Sequence, residues 1–158
     1  MIILAIDPGN EQSAYCIYDT KRRAPVAADI LPNQELLHKL DSEDAPWLAI
    51  EMVASYGMPV GRTVFETCLW VGRFVERFRG RHILVYRPDV KLYLCNSVRA
   101  KDSNVGQVLL DRYGGTRRAA LGTKKQPGPL YGFKYDMWSA LAVAITAAET
   151  ADVLEGGQ

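Results

Sequence analysis

The stretch Met1-Ile-Ile-Leu-Ala-Ile-Asp7-Pro8-Gly9-Asn10 joins an apolar run to a carboxylate and a turn signal. Residues 2–6 are uninterrupted apolar side chains, which is typical of a strand that is covered on both faces. The run ends at Asp7, and a second strand is expected over Ser13–Asp19. Residues 8–12 would then form a hairpin connection in which Gly9 is free to take a positive φ. This stretch predicts that Asp7 lies at the end of a sheet strand, although an ordinary core strand with a capping Asp would read the same way.

Three later segments also have the composition of strands. They are Ala24–Leu31 after a turn at Thr20–Arg23, Trp47–Ile50, and His82–Tyr86. Counted from the N-terminus, Trp47–Ile50 is the fourth strand, and Glu51 follows it directly. The first and fourth apolar strands therefore each end at an acid. If the first three strands pair in the order 3-2-1 and the fourth lies parallel to the first, Asp7 and Glu51 emerge side by side.

Helical patterns alternate with these strands, which favours an α/β fold. Helices are predicted over Gln34–Leu40 with Asn33 as the cap, about Arg62 to Arg79, Arg87–Leu94, Arg99–Tyr113, and from Met137 onward with Asp136 as the cap. Alanines in the last helix would allow it to pack closely on the sheet. That packing would bring Asp136 within reach of Asp7 and Glu51.

Length and composition predict a single domain over residues 1–158 with an ordinary core. No apolar run approaches the roughly 20 residues of a membrane span, so we expect no membrane partner. No basic segment precedes an apolar one at the N-terminus, which favours the cytoplasm, or the host cytoplasm if a phage encodes the chain. Cys16, Cys68 and Cys95 lie far apart in apolar stretches and are expected to be reduced, buried thiols.

A net charge of +1 conceals an uneven distribution of charge. Residues 1–51 carry nine acids against four bases, whereas residues 52–135 carry fifteen Lys and Arg against five acids. Between Arg112 and Tyr135 no acid occurs, and basic residues alternate with glycine and proline. This pattern predicts a mobile basic loop that contacts a polyanion, with a solvated connector as the alternative.

Three crowded carboxylates repel one another, and each would have a raised pKa unless cations share the charge. Asp7, Glu51 and Asp136 are the three acids that the predicted topology brings together. Oxygen ligands of this kind suit Mg²⁺ or Mn²⁺. The sequence therefore predicts a divalent metal site at these three residues.

With these residues in register, the sequence resembles the RuvC-type Holliday junction resolvases of the ribonuclease H-like nucleases, particularly small phage members. The matching stretches are Ile6-Asp7-Pro8-Gly9, Ile50-Glu51, Arg87-Pro88-Asp89-Val90-Lys91, Arg99-Ala100-Lys101-Asp102 and Asp136-Met-Trp-Ser139-Ala140-Leu141-Ala142. The resemblance extends over nearly the entire chain. It implies a ribonuclease H-like α/β fold, with a five-stranded mixed sheet of order 3-2-1-4-5 flanked by helices. It also implies a metal-dependent endonuclease that resolves Holliday junctions and other branched DNA by paired nicks.

The resemblance further implies phosphodiester hydrolysis with two metal ions, Mg²⁺ or Mn²⁺. Asp7 and Asp136 would hold the ion that activates the attacking water, and Asp7 and Glu51 the ion beside the departing 3′ oxygen. Lys101, as a catalytic group, and Lys91, as a DNA contact, would neutralise charge on the phosphate. Backbone phosphates are expected to contact Arg99, Arg117, Arg118, Lys124 and Lys125.

The chain departs from the family pattern at two places. Cellular members resemble Asp-x-x-Asp in the last helix, whereas this chain has Ser139 at the second position. Either Ser139 holds a metal-bound water or the fourth ligand is dispensable, and we favour the second. Family members often place a large apolar wedge three residues after the glutamate. Ala54 stands there, so Tyr56 or Met58 would have to enter the junction.

The predicted helix over 62–79 has more apolar stripes than one core contact requires. The stripes are Val64, Cys68, Val71, Val75 and Phe78; then Phe65, Leu69 and Gly72; then Trp70 and Phe74. A twofold homodimer would cover the excess, and would place two sites symmetrically for a four-way junction. A helix between the sheet and another helix is the alternative.

Three other functions share part of this pattern. A different ribonuclease H-like nuclease, acting on RNA-DNA hybrids or on RNA, would use the same acids. A junction-binding protein without cleavage would explain Ser139. An actin-like sugar kinase also begins with a strand followed by Asp-x-Gly, but it needs further phosphate-binding motifs in a much longer chain.

Overall fold

The computed structural model describes residues 1–150, which form a five-stranded mixed sheet with helices on both faces. The strands are β1 (Ile2–Asp7), β2 (Gln12–Asp19), β3 (Ala24–Pro32), β4 (Trp47–Met52) and β5 (Arg81–Tyr86). The helices are α1 (Asn33–Lys39), α2 (Arg62–Arg77), α3 (Arg87–Cys95), α4 (Asp102–Arg112), α5 (Arg117–Leu121) and α6 (Met137–Thr150), with a 3-10 helix at Leu40–Ser42. Strand order is β3-β2-β1-β4-β5 with β4 parallel to β1, as the sequence predicted, and β5 is parallel to β4.

Alternation along the central strands builds one core on each face of the sheet. In β1, Ile3 and Ala5 join the core under α3, α4 and α6, whereas Leu4 and Ile6 join the core under α1 and α2. All four side chains are fully buried. The unbroken apolar run therefore forms a strand that is covered on both faces, as predicted.

The α6 helix packs directly on β1 and β2. Its residues from Ala140 to Ala147 are all buried, because alanines at several turns let the helix backbone approach the sheet. The close packing predicted for this helix is confirmed.

The turn after β1 differs from the prediction in how it uses Gly9. Gly9 does not have a positive φ. A Cβ on Gly9 would instead lie 2.3 Å from the Gln12 carbonyl oxygen, so the close approach of the backbone requires glycine. Asn33 is not the cap of α1 either, because Pro32 occupies that position and the Asn33 side chain turns inward.

The basic segment between α4 and α6 is folded rather than the loose loop that its composition predicted. Ala120 and Leu130 are fully buried, and the Leu130 N–H donates to the Ala120 carbonyl over 2.8 Å. A bridge between Gly122 and Pro127 closes the turn between them. The prediction of a mobile loop was wrong because the four apolar residues that bury this segment are irregularly spaced, so they produce no helical or strand periodicity. These four anchors are Ala120, Leu121, Leu130 and Phe133.

Helix α4 begins three residues later than predicted. The Lys101 N–H donates to the Asn104 side-chain oxygen over 2.8 Å, and this local bond starts the helix at Asp102. Residues 97–100 form a turn instead.

The three cysteines are free thiols; Cys16 is buried as expected, whereas Cys68 and Cys95 are only half-buried. No helix within residues 1–150 is long and apolar enough to cross a membrane.

Candidate active site

Two carboxylates emerge side by side at the C-terminal ends of β1 and β4. Ile6 pairs with Ile50 across these parallel strands, so Asp7 and Glu51 each lie one residue beyond that pair. By alternation, Asp7 follows Ala5 and Glu51 follows Ala49 onto the face that α6 covers. The register predicted from the two apolar runs therefore places both acids under the start of α6.

The third predicted acid occupies the N-terminal end of α6. The Asp136 carbonyl accepts the Ala140 N–H over 3.0 Å, so Asp136 is the first residue of the helical ladder and its side chain is exposed. Ser139 follows within the first turn of α6, and its side chain slightly lowers the pKa of Asp7. The start of α6 therefore lies near the end of β1, close enough for the charge of Asp136 to raise the pKa of Asp7.

Burial, together with the neighbouring acids, raises the pKa of Asp7. The pKa rises to about 8, first because the side chain loses water and then because of the negative charges of Glu51 and Asp136. Arg87 and the Ser139 hydroxyl oppose this rise. Ionised Asp7 is therefore unfavourable at this position, and a bound cation would offset that cost.

The turn behind Asp7 is held by a buried polar network that the sequence did not reveal. The Ser13 hydroxyl accepts the Gly9 N–H over 3.1 Å and donates to the Asn33 side-chain oxygen over 2.6 Å. The Asn33 amide then donates to the Gly9 carbonyl over 2.8 Å. Because Ser13 and Asn33 are both buried, these bonds fix the backbone immediately after Asp7.

Arg87 is the functional residue that sequence reasoning missed. Its guanidinium lies 3.3 Å from the Glu51 carboxylate and 2.7 Å from that of Asp102. Lys91 lies 3.7 Å from the same Asp102 oxygen. Arg87 stands directly after β5, inside the stretch that carried the family resemblance, but only the pairing of β5 with β4, with Tyr86 opposite Met52, places it beside Glu51.

The donors at this site suit a divalent cation in chemistry and charge. Asp7, Glu51 and Asp136 supply carboxylate oxygens and Ser139 a hydroxyl, which are the ligands that Mg²⁺ and Mn²⁺ prefer. Within residues 1–150, however, no three acidic, histidine or cysteine side chains are close enough to form a ready-made metal site. The charges of Glu51 and Asp136 both act on Asp7, and the three side chains would have to converge further to hold an ion together.

The remaining predicted residues divide into two groups. In the first group, the charge of Glu51 raises the pKa of Tyr56, and the charge of Lys91 lowers the pKa of Glu51. Arg117 also belongs to this group, because it lines a cleft together with Asp136 and Ser139. The other group is exposed and takes part in none of the ion pairs found within residues 1–150. Its members are Met58, Arg99, Lys101, Arg118, Lys124 and Lys125.

Replacing Arg87 tests the electrostatics directly. Burial raises the pKa of Glu51, and Arg87 opposes this rise by charge and by hydrogen bonding. We therefore expect Arg87→Gln to raise the pKa of Glu51 further, and that of Asp7 with it, in metal-free protein. Carboxyl ¹³C NMR titration measures both. Unchanged titration of Glu51 would show that the guanidinium does not contact it in solution.

Comparison with known proteins supports the fold. No protein-family model and no curated protein matches the chain. Among solved structures, Thermus thermophilus RuvC matches with a TM-score of 0.64 and 17% identity, over 94% of this chain and 93% of that one. T. thermophilus RuvC in complex with a Holliday junction substrate matches with a TM-score of 0.61 and 16% identity, over 94% and 92%. The chain therefore has the RuvC-like, ribonuclease H-like fold that its sequence predicted.

Proposed function

We propose that this chain is a metal-dependent endodeoxyribonuclease that resolves Holliday junctions and other branched DNA by paired nicks. The observation that supports it most is that Asp7 lies at one end of a RuvC-like sheet, where burial and the charges of Glu51 and Asp136 raise its pKa. Such crowding is unfavourable for the fold, and it is explained if the acids serve to hold cations.

Asp7 is the central ligand in the proposed mechanism. Asp7 and Asp136 would hold one Mg²⁺ or Mn²⁺ ion, and Asp7 and Glu51 a second. When bound, two such ions activate the attacking water and stabilise the departing 3′ oxygen of the phosphodiester. The buried bonds of Ser13 and Asn33 keep the Asp7 backbone fixed while the side chains adjust.

Basic side chains around the acids would neutralise and hold the DNA backbone. Lys91, which lies beside the Arg87–Asp102 pair, is assigned to the charge of the scissile phosphate. Lys101, at the cap of α4, is assigned a catalytic role on the family resemblance. The outer phosphate contacts are assigned to Arg99, Arg117, Arg118, Lys124 and Lys125.

Two exposed side chains after β4 are assigned to the branch point. Tyr56 is 60% exposed and Met58 is 72% exposed on the loop between β4 and α2. Apolar side chains of this kind can enter an opened base step. We assign them the wedge role that Ala54 is too small to perform.

Paired nicks require two sites, and we propose that α2 forms the homodimer contact. Val71 and Phe74 face the core of the same chain, whereas Phe65 and Leu69 remain 64% and 65% exposed on the opposite side. An exposed apolar face of this kind marks an interaction surface.

A second candidate function follows from Ser139 and the Arg87–Glu51 pair. A fold that lacks the fourth acid, and whose Glu51 is already paired with a guanidinium, could bind junctions without cutting them. The same fold could also act on RNA-DNA hybrids.

A cleavage assay separates these functions. Purified protein is incubated with a synthetic four-way junction, a flap, a bubble and an RNA-DNA hybrid, each with Mg²⁺, with Mn²⁺ and with EDTA. We expect metal-dependent, symmetric nicks on the four-way junction first. Binding without metal-dependent cleavage would favour the non-cleaving protein, and preference for the hybrid would favour the other nuclease.

Reversing two lysines tests the DNA surface. We expect Lys124→Glu with Lys125→Glu to weaken junction binding and to flatten the plot of log affinity against log salt by about 2 units, since each lost phosphate contact removes roughly 0.9. Filter binding or fluorescence anisotropy at several salt concentrations measures the slope.

The matched control is Lys21→Glu with Arg22→Glu. These residues lie in the turn between β2 and β3, next to Asp19, which pairs with Ile2 at the end of β1 opposite to Asp7. The control should leave the slope unchanged. Equal slopes for both double variants would show that the 124–125 turn does not touch DNA.

A further inference from the structure

A cleft of about 460 Å³ opens beside Asp136, between α4, α5 and the start of α6. Asp136 and Ser139 line it, so the cleft adjoins the candidate site at Asp136. Arg117 and Trp138 line it as well, and Gln107 contributes a polar side chain from α4. Asp136 and Arg117 have assigned roles toward metal and phosphate, but no occupant is assigned to the cleft itself.

Tyr135, on the rim of the cleft, is 80% exposed, and its φ of 47° places a bulky residue in the left-handed region. Glycine or asparagine fits that backbone better. The ring contributes nothing to the core, so its presence here is not explained by folding.

The floor of the cleft is aromatic and cationic. Trp138 is anchored by an edge-on contact with Phe133, with ring centroids 5.9 Å apart. The Arg117 guanidinium carbon lies 6.0 Å from the Trp138 ring centroid. Aromatic rings joined to a guanidinium are the side chains on which nucleic-acid bases stack.

We propose that this cleft binds the base of a nucleotide next to the scissile phosphate, with Tyr135 stacking on it. This inference rests on the proposed function and adds a subsite that holds a base beside the cut. The cleft adjoins Asp136, so a strand whose phosphate reaches the acids can place a neighbouring base there. Arg117 would neutralise the negative charge of the phosphate attached to that nucleotide.

The test uses Tyr135→Asn, which removes the ring and suits the observed backbone, so a folding defect is not expected. Tyr135→Phe keeps the ring. The matched control is Tyr131→Asn, a tyrosine that is 50% exposed and faces β3 rather than the cleft. Thermal melting should show all three variants folded.

Binding is measured with a four-way junction that carries 2-aminopurine beside the cut, and with metal-free protein so that no cleavage occurs. Wild-type protein, Tyr135→Phe and Tyr131→Asn should change the 2-aminopurine fluorescence on binding, and Tyr135→Asn should remove most of that change. A full fluorescence change with Tyr135→Asn would overturn the proposal.

Cleavage gives the second readout. An abasic nucleotide at the same position should lower wild-type cleavage roughly 5- to 100-fold, the range that loss of one stacked base produces. It should not lower cleavage by Tyr135→Asn further, because the stack is already gone. Equal abasic effects in both proteins overturn the base subsite while the nuclease assignment stands. A wild-type protein that neither binds nor cuts branched DNA overturns both.

Discussion

Asp7→Asn is expected to reduce junction cleavage to below about one-thousandth of the wild-type rate, because it removes the ligand common to both proposed metal positions. Junction binding should remain, since it depends on the basic side chains. The measurement is single-turnover cleavage alongside anisotropy binding. A variant that cleaves normally would show that the site is misplaced.

The same substitution should stabilise the metal-free protein. Ionised Asp7 is unfavourable in the folded state. The pKa of Asp7 is about 8 in the folded protein, against a usual value of 3.8. The folded state therefore binds this proton more tightly than the unfolded chain does. The free-energy cost of ionising Asp7 is absent below the pKa of the unfolded chain. It grows between that pKa and the pKa of the folded protein, and it is complete above the latter. Asparagine carries no charge and avoids it, so the advantage of Asp7→Asn grows with pH to at most roughly 6 kcal/mol.

Denaturant unfolding in EDTA at about pH 5 and about pH 9 measures this difference. Added Mg²⁺ should narrow the gap, because it binds and stabilises the folded wild type more than the variant. Asp44→Asn is the matched control, since Asp44 is exposed and precedes β4, at the end away from Glu51. A constant difference between Asp7→Asn and wild type at both pH values would contradict the raised pKa.

The part of the site that could be predicted depends on local patterns. The apolar runs before Asp7 and Glu51 fix both strands, and alternation then decides which face each acid takes. Asp136 follows from the start of a strongly apolar helix. These signals lie within a few residues of each acid, which is why the sequence was sufficient for them.

The rest of the site depends on contacts between distant segments. The sequence around Asn33 is typical of a helix cap. In the folded chain, however, the Asn33 amide donates to the Gly9 carbonyl, 24 residues away in sequence. Arg87 reaches Glu51 across 36 residues. The segment around Ala120 and Leu130 packs through isolated apolar anchors. No periodicity or local spacing encodes such pairings.

Charge on the exposed face of α2 is expected to separate the proposed dimer. Phe65 and Leu69 lie one turn apart on this face, and both are exposed. Gly72 lies one turn further along, and a Cβ added there would meet no neighbouring segment within 4 Å, so the surface is open. Leu69→Glu would bury an unpaired charge in the contact, which costs several kcal/mol and should raise the dimer dissociation constant by roughly 100-fold or more.

The control is Leu92→Glu, because Leu92 is 52% exposed on α3 and does not belong to this face. Light scattering should give dimers for wild type and Leu92→Glu, and monomers for Leu69→Glu. On a cruciform plasmid, the monomer should produce single nicks rather than the linear product of two coupled nicks, because each site keeps its own acids. A monomeric wild type that still linearises the plasmid would contradict the dimer and would require sequential cutting by one site instead.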